Sequence, residues 1–249
     1  MDAIADAVKV LYETFACYPR PLKIGCCPCG CTKADATAHI LAVPLRDISF
    51  SDLADYSCSA MATQGSVDDF RYLLPRLFQG IAEETYSYNP EILFGKLNYA
   101  KWRDWPADEI AAMKSYLHAL WETGLTTFPL EERLPEFLEI ETLLASIAAT
   151  GEALEPYLNI WTDNKTKEAD EHLIQFVTMY APDFVDGKTF NTGFWSDLNT
   201  QAKALRRWLL QPGTLLRING AAYLVRNDGF EHLFRPAVQT LEAESHRSA

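Results

Sequence analysis

Residues 66–81 read SVDDFRYLLPRLFQGI and predict an amphipathic α-helix. Ser66 and Asp69 have the spacing of a capping box, in which each side chain bonds the other residue's backbone N–H. Apolar residues then recur every three or four positions, which places them on one helical face. They are Phe70, Leu73, Leu74, Leu77, Phe78 and Ile81. Pro75 lies inside this pattern and predicts a kink or a division into two shorter helices, because proline lacks a backbone N–H.

The same apolar spacing recurs along most of the chain and predicts about eleven helices. Proline precedes several of these segments and glycine follows several, as is typical of helix starts and ends. We therefore expect an all-α protein, either a stack of helix pairs resembling an α-solenoid or an irregular helical bundle. Residues 215–225 allow two interpretations, a small β-hairpin around Asn219-Gly220 or one more helix. The helical neighbours favour the helix.

The chain of 249 residues is expected to form a single all-helical domain over 1–249. Within it we expect a Cys-rich N-terminal subdomain over 1–85 and a helical body over 90–245. Residues 85–106 interrupt the helical pattern and mark the soft boundary between them.

The charge balance excludes some partners. The chain has 22 Lys and Arg against 34 Asp and Glu, a formal net charge of -12, which disfavours nucleic acid because phosphate binding needs clustered basic residues. Residues 101–171 carry 15 acidic and 6 basic side chains, whereas residues 172–249 carry 7 and 8. The acidic middle is either a solvated helix surface or a face for a basic protein partner.

No apolar run approaches the roughly 18 residues of a membrane span, so we expect no membrane partner. The acidic start, Met1 to Asp6, lacks the basic residues of a signal peptide. We therefore expect a cytoplasmic protein.

All six cysteines lie in the first 58 residues. In a reducing compartment such a cluster indicates metal binding or redox activity rather than a disulfide framework. The Cys26-x-x-Cys29 spacing is that of half a zinc knuckle, and a structural zinc site needs four ligands. The candidates for the other two are Cys31, Cys17, Cys58 and His39, and we expect the set Cys26, Cys29, Cys31 and His39. A redox-responsive dithiol and a loop of reduced, partly buried thiols are the alternatives.

No phosphate-binding loop, dinucleotide-binding glycine motif or nucleophile elbow is present in the sequence. Asp68, Asp69 and Arg71 form a charged group that is either a helix cap with a surface ion pair or a site for a basic ligand. Trp102 and Trp105 are either core residues or interface anchors.

Three features occur in the first 85 residues: Cys26-x-x-Cys29, the Pro44-Leu45-Arg46 step, and GSVDDFRYLLPRL at 65–77. Together they resemble an uncharacterised family of bacterial proteins, and the Leu-Pro-Arg segment is the most specific part of the resemblance. The resemblance implies a bacterial origin, and it implies that the cysteine pair and the helix with the Leu-Pro-Arg segment belong to one substructure. Cys27 and Cys31 depart from the family's single pair.

The absence of a catalytic motif and the acidic middle favour a non-enzymatic protein-binding module, of which an immunity protein that neutralises a bacterial toxin is one kind. Complementary charge would speed its capture of a basic partner. The expected contact residues cluster before and within one predicted helix and are Glu131, Glu132, Glu136 and Glu139. The alternatives are a zinc-binding or redox-responsive helical protein, and an enzyme whose active site has no linear motif.

Overall fold

The computed structural model describes residues 3–26, 37–86, 88–127, 139–185, 193–225 and 231–248. Within these ranges the chain forms eleven α-helices and no β-strand, so the predicted all-α, multi-helix fold is confirmed. Two isolated β-bridges are present, Cys26 with Gln64 and Ala60 with Gln64.

The chain divides into two compact units, Met1–Leu120 and Trp121–Ala249, here called unit 1 and unit 2. The division falls inside the fifth helix. The predicted arrangement as one domain, with a subdomain over 1–85 and a body over 90–245, stays a prediction.

Five helices begin in unit 1, and their apolar faces form its core. They are α1 (Ala3–Thr14), α2 (Ala54–Ser59), α3 (Val67–Ala82), α4 (Pro90–Tyr99) and α5 (Ala107–Thr126). Phe78 of α3 lies at the centre, with ring centroids 5.1 Å from Phe94 and 5.3 Å from Tyr116. Trp102 and Trp105 are both buried, as expected of core residues rather than of interface anchors.

The predicted capping box of α3 is confirmed, because the Ser66 side chain accepts from the backbone N–H of Asp69 and Asp69 accepts from the backbone N–H of Ser66. Pro75 lies inside α3, but the helix continues through it, and the alternative of two shorter helices is wrong. The side chains on both sides of Pro75, Leu74 and Leu77, are buried in the core. Their burial outweighs the one backbone hydrogen bond that proline removes.

Unit 2 contains the remaining six helices. They are α6 (Ile140–Ala149), α7 (Glu155–Asp163), α8 (Lys167–Val185), α9 (Asn199–Leu209), α10 (Pro212–Ala221) and α11 (Glu231–Ser248). The buried Trp161 ring lies at the centre, with ring centroids 5.5 Å from Trp121 and 5.1 Å from Trp208. Arg217 donates to the carbonyls of Trp161 and Asn164, and so satisfies two backbone acceptors at the end of α7.

Residues 215–225 form the rest of α10 and a 3₁₀ turn, Ala222–Val225, so the helical interpretation is confirmed and the hairpin is wrong. An isolated hairpin is marginal in stability, whereas a helix here buries Ile218 and Ala221 against its helical neighbours.

Candidate functional site

A surface groove with a volume of ≈ 590 Å³ runs across unit 1 between α1, the segment 44–47 and α3. Its walls are rich in aromatic and proline side chains, namely Tyr12, Phe15, Tyr18, Pro44, Tyr72 and Pro75. Three charged residues, Glu13, Arg46 and Asp47, also line it. We call this surface the Tyr12 groove.

Tyr12 is fixed at both ends. Its hydroxyl donates to Gln79 Oε1 at 2.6 Å, and the guanidinium carbon of Arg46 lies 3.7 Å from the centroid of its ring. Burial raises the pKa of Tyr12, although the charges of Arg76 and Arg46 oppose that shift. Tyr12 is therefore a neutral hydrogen-bond donor near neutral pH, and a poor acid or base.

Arg76 holds the segment 44–50 against α3. Its Nε donates to the Ile48 carbonyl at 2.7 Å, its Nη1 donates to Gln79 Oε1 at 3.0 Å, and its guanidinium lies 3.9 Å from the centroid of the Phe50 ring. The Leu-Pro-Arg segment thus has a clear structural role. Its arginine positions both the Gln79 partner of Tyr12 and the segment that carries Arg46.

Arg46 itself is exposed, and in the described part of the chain no carboxylate lies within ion-pair distance of it. Stacking on Tyr12 restricts the side chain and leaves its edge N–H groups directed away from the ring. A guanidinium held in this way is suited to a carboxylate or phosphate from another molecule, which it can bind through two parallel hydrogen bonds.

The Tyr18 wall of the groove is supported from below by a buried ion pair. The Tyr18 hydroxyl donates to Glu109 Oε1 at 2.6 Å, and Glu109 Oε2 lies 3.4 Å from Arg71 Nε. Glu109 is only 3% exposed, and the Arg71 guanidinium lies 4.3 Å from the centroid of the Trp105 ring. Burial first, and then the hydrogen bond to Glu109, raise the pKa of Tyr18.

This cluster changes the interpretation of Arg71. The sequence pairs it with Asp68, and an ion pair of 3.5 Å to that exposed carboxylate is present. The buried partner, Glu109, is 38 positions along the chain and carries no local signal. The second interpretation of the acidic pair, a site for a basic ligand, has no support at Asp69, because its carboxylate caps α3.

The proposed zinc ligands lie partly outside the described residues, which contain neither Cys29 nor Cys31. Cys26 is half-buried beside Gln64, and His39 is exposed. Where the structure describes the chain, no three His, Cys, Asp or Glu side chains are grouped as metal ligands. The zinc site stays a prediction, which the metal content of protein purified without a chelator would test.

The start of the cysteine segment is joined to the start of α3. The backbone N–H of Gly65 donates to the Gly25 carbonyl at 2.8 Å, next to the bridge between Cys26 and Gln64. Gly65 has φ +72, and a Cβ there would meet Ile24 Cγ2 at 3.1 Å and the Asp69 side chain at 3.2 Å. Only glycine combines this backbone conformation with such a close approach.

Of the four glutamates expected to contact a partner, Glu131, Glu132 and Glu136 lie outside the described residues. Glu139 is exposed at the N-cap position of α6, one residue before the helix begins. Its Oε2 accepts a hydrogen bond of 2.7 Å from the Tyr180 hydroxyl. Its carboxylate therefore already has one intramolecular partner.

The sequence interpretation missed the Tyr12 groove. Tyr12 lies at a position of α1 that helical periodicity assigns to the core, Tyr72 lies outside the predicted apolar stripe of α3, and Tyr18 follows the end of the first helical segment. One signal in the sequence could have indicated this groove. It is the arginine of Pro44-Leu45-Arg46, which only the family resemblance singled out.

The chain matches no protein family model, no curated protein and no solved structure. Among the described residues, no helix is both long enough and apolar enough to cross a membrane. The described residues thus define an all-α protein.

Proposed function

We propose that the protein is a non-catalytic protein-binding module, and that the Tyr12 groove receives a segment of its partner. The observation that carries the proposal is Arg46, an exposed arginine that is stacked on Tyr12 at a groove lined by aromatic side chains. Tyrosine, tryptophan and arginine are the residues that most often dominate binding energy at protein interfaces. A carboxylate of the partner would pair with Arg46, while an apolar or proline side chain would fill the space between Phe15, Tyr18 and Pro75.

The net charge of the protein favours a partner that is basic overall. The carboxylate that pairs with Arg46 would be a single acidic residue within that basic partner. Glu13 and Asp47 line the same groove, and the net charge of -12 attracts a basic protein at long range. A bacterial toxin that the protein neutralises is a partner of this kind. Blocking of a basic active-site cleft would then be the mechanism.

The tyrosines argue against acid–base catalysis in this groove. The pKa values of Tyr12, Tyr18 and Tyr72 are all raised, in each case first by burial. A general acid or base works best with a pKa near the working pH, so these shifts move the hydroxyls away from catalysis. The Tyr12 and Tyr18 hydroxyls already donate to Gln79 and Glu109, so they hold the two rings in place as walls of the groove.

Selection from a random peptide display library on the immobilised full chain tests the proposal. We expect enrichment of peptides that combine an acidic residue with an apolar or proline residue. The Arg46→Glu variant should bind the selected peptides at least about tenfold more weakly, which corresponds to about 1.4 kcal/mol. The matched control is Arg235→Glu, which has the same charge change at an exposed arginine of α11.

Two outcomes would contradict the proposal. One is that no peptide is enriched over the uncoated support. The other is that enriched peptides bind Arg46→Glu as tightly as they bind the wild-type chain.

A further inference from the structure

Unit 2 carries a groove of ≈ 600 Å³ whose charge is opposite to that of the whole protein. Lys203, Arg206 and Arg207 of α9 line it together with Leu210, Pro212 and Ser245. We call it the Arg207 groove. The three cations are spaced three and four residues apart, so they share one helical face. Among the residues that the structure describes, no acidic side chain lines the groove.

One of the three cations is already neutralised. The Arg206 guanidinium pairs with Glu244 of α11, and Arg247 lies 3.3 Å from the other oxygen of the same carboxylate. A single glutamate therefore serves two arginines. The Ser245 hydroxyl donates to the Leu210 carbonyl at 3.2 Å and holds α11 beside the end of α9.

Lys203 and Arg207 remain. Both are exposed, and no carboxylate in the described ranges lies within ion-pair distance of either. Pro212 provides exposed apolar surface beside them, and Leu210, which is 9% exposed, adds the edge of its side chain. The groove thus offers positive charge along one wall and an apolar contact along the other.

We propose that the Arg207 groove binds an acidic, amphipathic segment of a partner protein, with carboxylates on Lys203 and Arg207 and an apolar side chain on Leu210 and Pro212. Charge complementarity favours this occupant over two others. A nucleic-acid backbone needs a longer basic track than the two exposed cations, Lys203 and Arg207, provide. A small free anion would have only these exposed ion pairs, which are weak, and would make no apolar contact with Pro212.

This surface is independent of the Tyr12 groove, since the two lie in different units and share no residue. It also differs in the number of carboxylates that it favours, because Lys203 and Arg207 select a segment with several carboxylates, whereas Arg46 is proposed to pair with one carboxylate of a basic partner. The protein would then have two recognition surfaces, and loss of one would leave the other functional.

The test is fluorescence anisotropy of the full chain with a labelled peptide of Glu-Glu-Leu-Glu repeats. We expect binding that weakens as salt is raised, because the ion pairs are exposed. The same peptide with Gln in place of Glu should bind at least about tenfold more weakly. The Lys203→Glu/Arg207→Glu double variant should bind the original peptide more weakly by at least about the same factor. Lys165→Glu/Arg235→Glu is the matched control with the same charge change and should bind as the wild type does. Arg46→Glu should also leave this binding unchanged, which separates the result from that of the Tyr12 groove.

Several outcomes would overturn the inference. They are absence of binding, equal binding of the Gln peptide, equal binding by the double variant, and equal or tighter binding of a labelled oligothymidylate. Sedimentation of the unliganded chain tests whether the groove instead binds a second copy of the chain. Self-association that the double variant abolishes would assign the groove to a second copy of the chain and would also overturn the inference.

Discussion

The guanidinium carbon of Arg46 lies 3.7 Å from the centroid of the Tyr12 ring, and the Tyr12 hydroxyl donates to Gln79 Oε1 at 2.6 Å. Tyr12 thus presents its face to the cation and its hydroxyl to α3. This arrangement joins the helix that carries Tyr12 to both other walls of the groove, so the recognition surface and the stability of unit 1 depend on the same side chain.

The two roles of Tyr12 can be separated. Tyr12→Phe removes the hydroxyl and keeps the ring under Arg46, so we expect the free energy of unfolding to fall by about 1 kcal/mol. Binding of groove-selected peptides should stay within about twofold of wild type, since a Phe ring still supports a cation. Urea denaturation and anisotropy measure the two effects. Tyr72→Phe is the control, because the Tyr72 hydroxyl has no hydrogen-bond partner among the described residues, and it should leave the unfolding free energy unchanged. A wild-type stability for Tyr12→Phe would contradict the assignment.

Gly65 should be intolerant of any side chain. Gly65→Ala places a Cβ 3.1 Å from Ile24 at a backbone φ of +72, and we expect a loss of about 1–3 kcal/mol of stability. Gly95→Ala makes the same chemical change inside α4, where a Cβ would meet nothing within 4 Å. There the higher helix propensity of alanine should raise stability by up to about 1 kcal/mol. Denaturation midpoints that shift in the same direction for both variants would refute this assignment.

Loss of the buried Arg71–Glu109 ion pair should reduce stability far more than loss of the exposed Arg71–Asp68 pair. Glu109→Gln leaves Arg71 without its buried charge partner, and we expect a loss of about 2–4 kcal/mol of stability. Asp68→Asn removes an exposed carboxylate from the same arginine and should cost less than about 0.5 kcal/mol. Because both partners act together, the Arg71→Met/Glu109→Leu variant should lose less than the sum of its single changes. Additive losses would show that the two side chains are not coupled.

His172 should make unit 2 sensitive to acid. The side chain is 3% exposed, and its Nε2 lies 3.0 Å from the Thr127 carbonyl. Burial lowers the pKa of His172 below its ordinary value, so the unfolded chain takes up a proton first as the pH falls. The free energy of unfolding should therefore be constant above about pH 7 and should decrease below about pH 6.5, where an unperturbed histidine titrates.

Urea denaturation between pH 5 and pH 8, the range of histidine titration, measures this dependence. His172→Gln can still donate to the Thr127 carbonyl and should flatten the curve in that range. The control is His246→Gln at an exposed position of α11, which should keep the slope of the wild-type chain. The same slope for His172→Gln would place the proton uptake elsewhere.

Sequence signals between residues a few positions apart determined the helices. The Ser66 to Asp69 capping box and the apolar stripe of α3 involve residues within a few positions of each other, and such signals are legible without any tertiary contact. The all-α class followed from repetition of those signals. The continuity of α3 through Pro75 did not follow, because it depends on what Leu74 and Leu77 are buried against.

The grooves were decided by tertiary structure. Arg46 stacks on Tyr12 across 34 positions, and Tyr18 bonds Glu109 across 91. Helical periodicity assigns an aromatic residue to a face but does not say which residue will cover that face. The net charge can be read from the sequence alone. The basic groove exists because α9 and α11 lie side by side, joined by the Arg206–Glu244 ion pair. The physical reason is that composition gives only the total charge and the total apolar content of the chain. A ligand contacts a small group of residues, and folding decides which residues form that group.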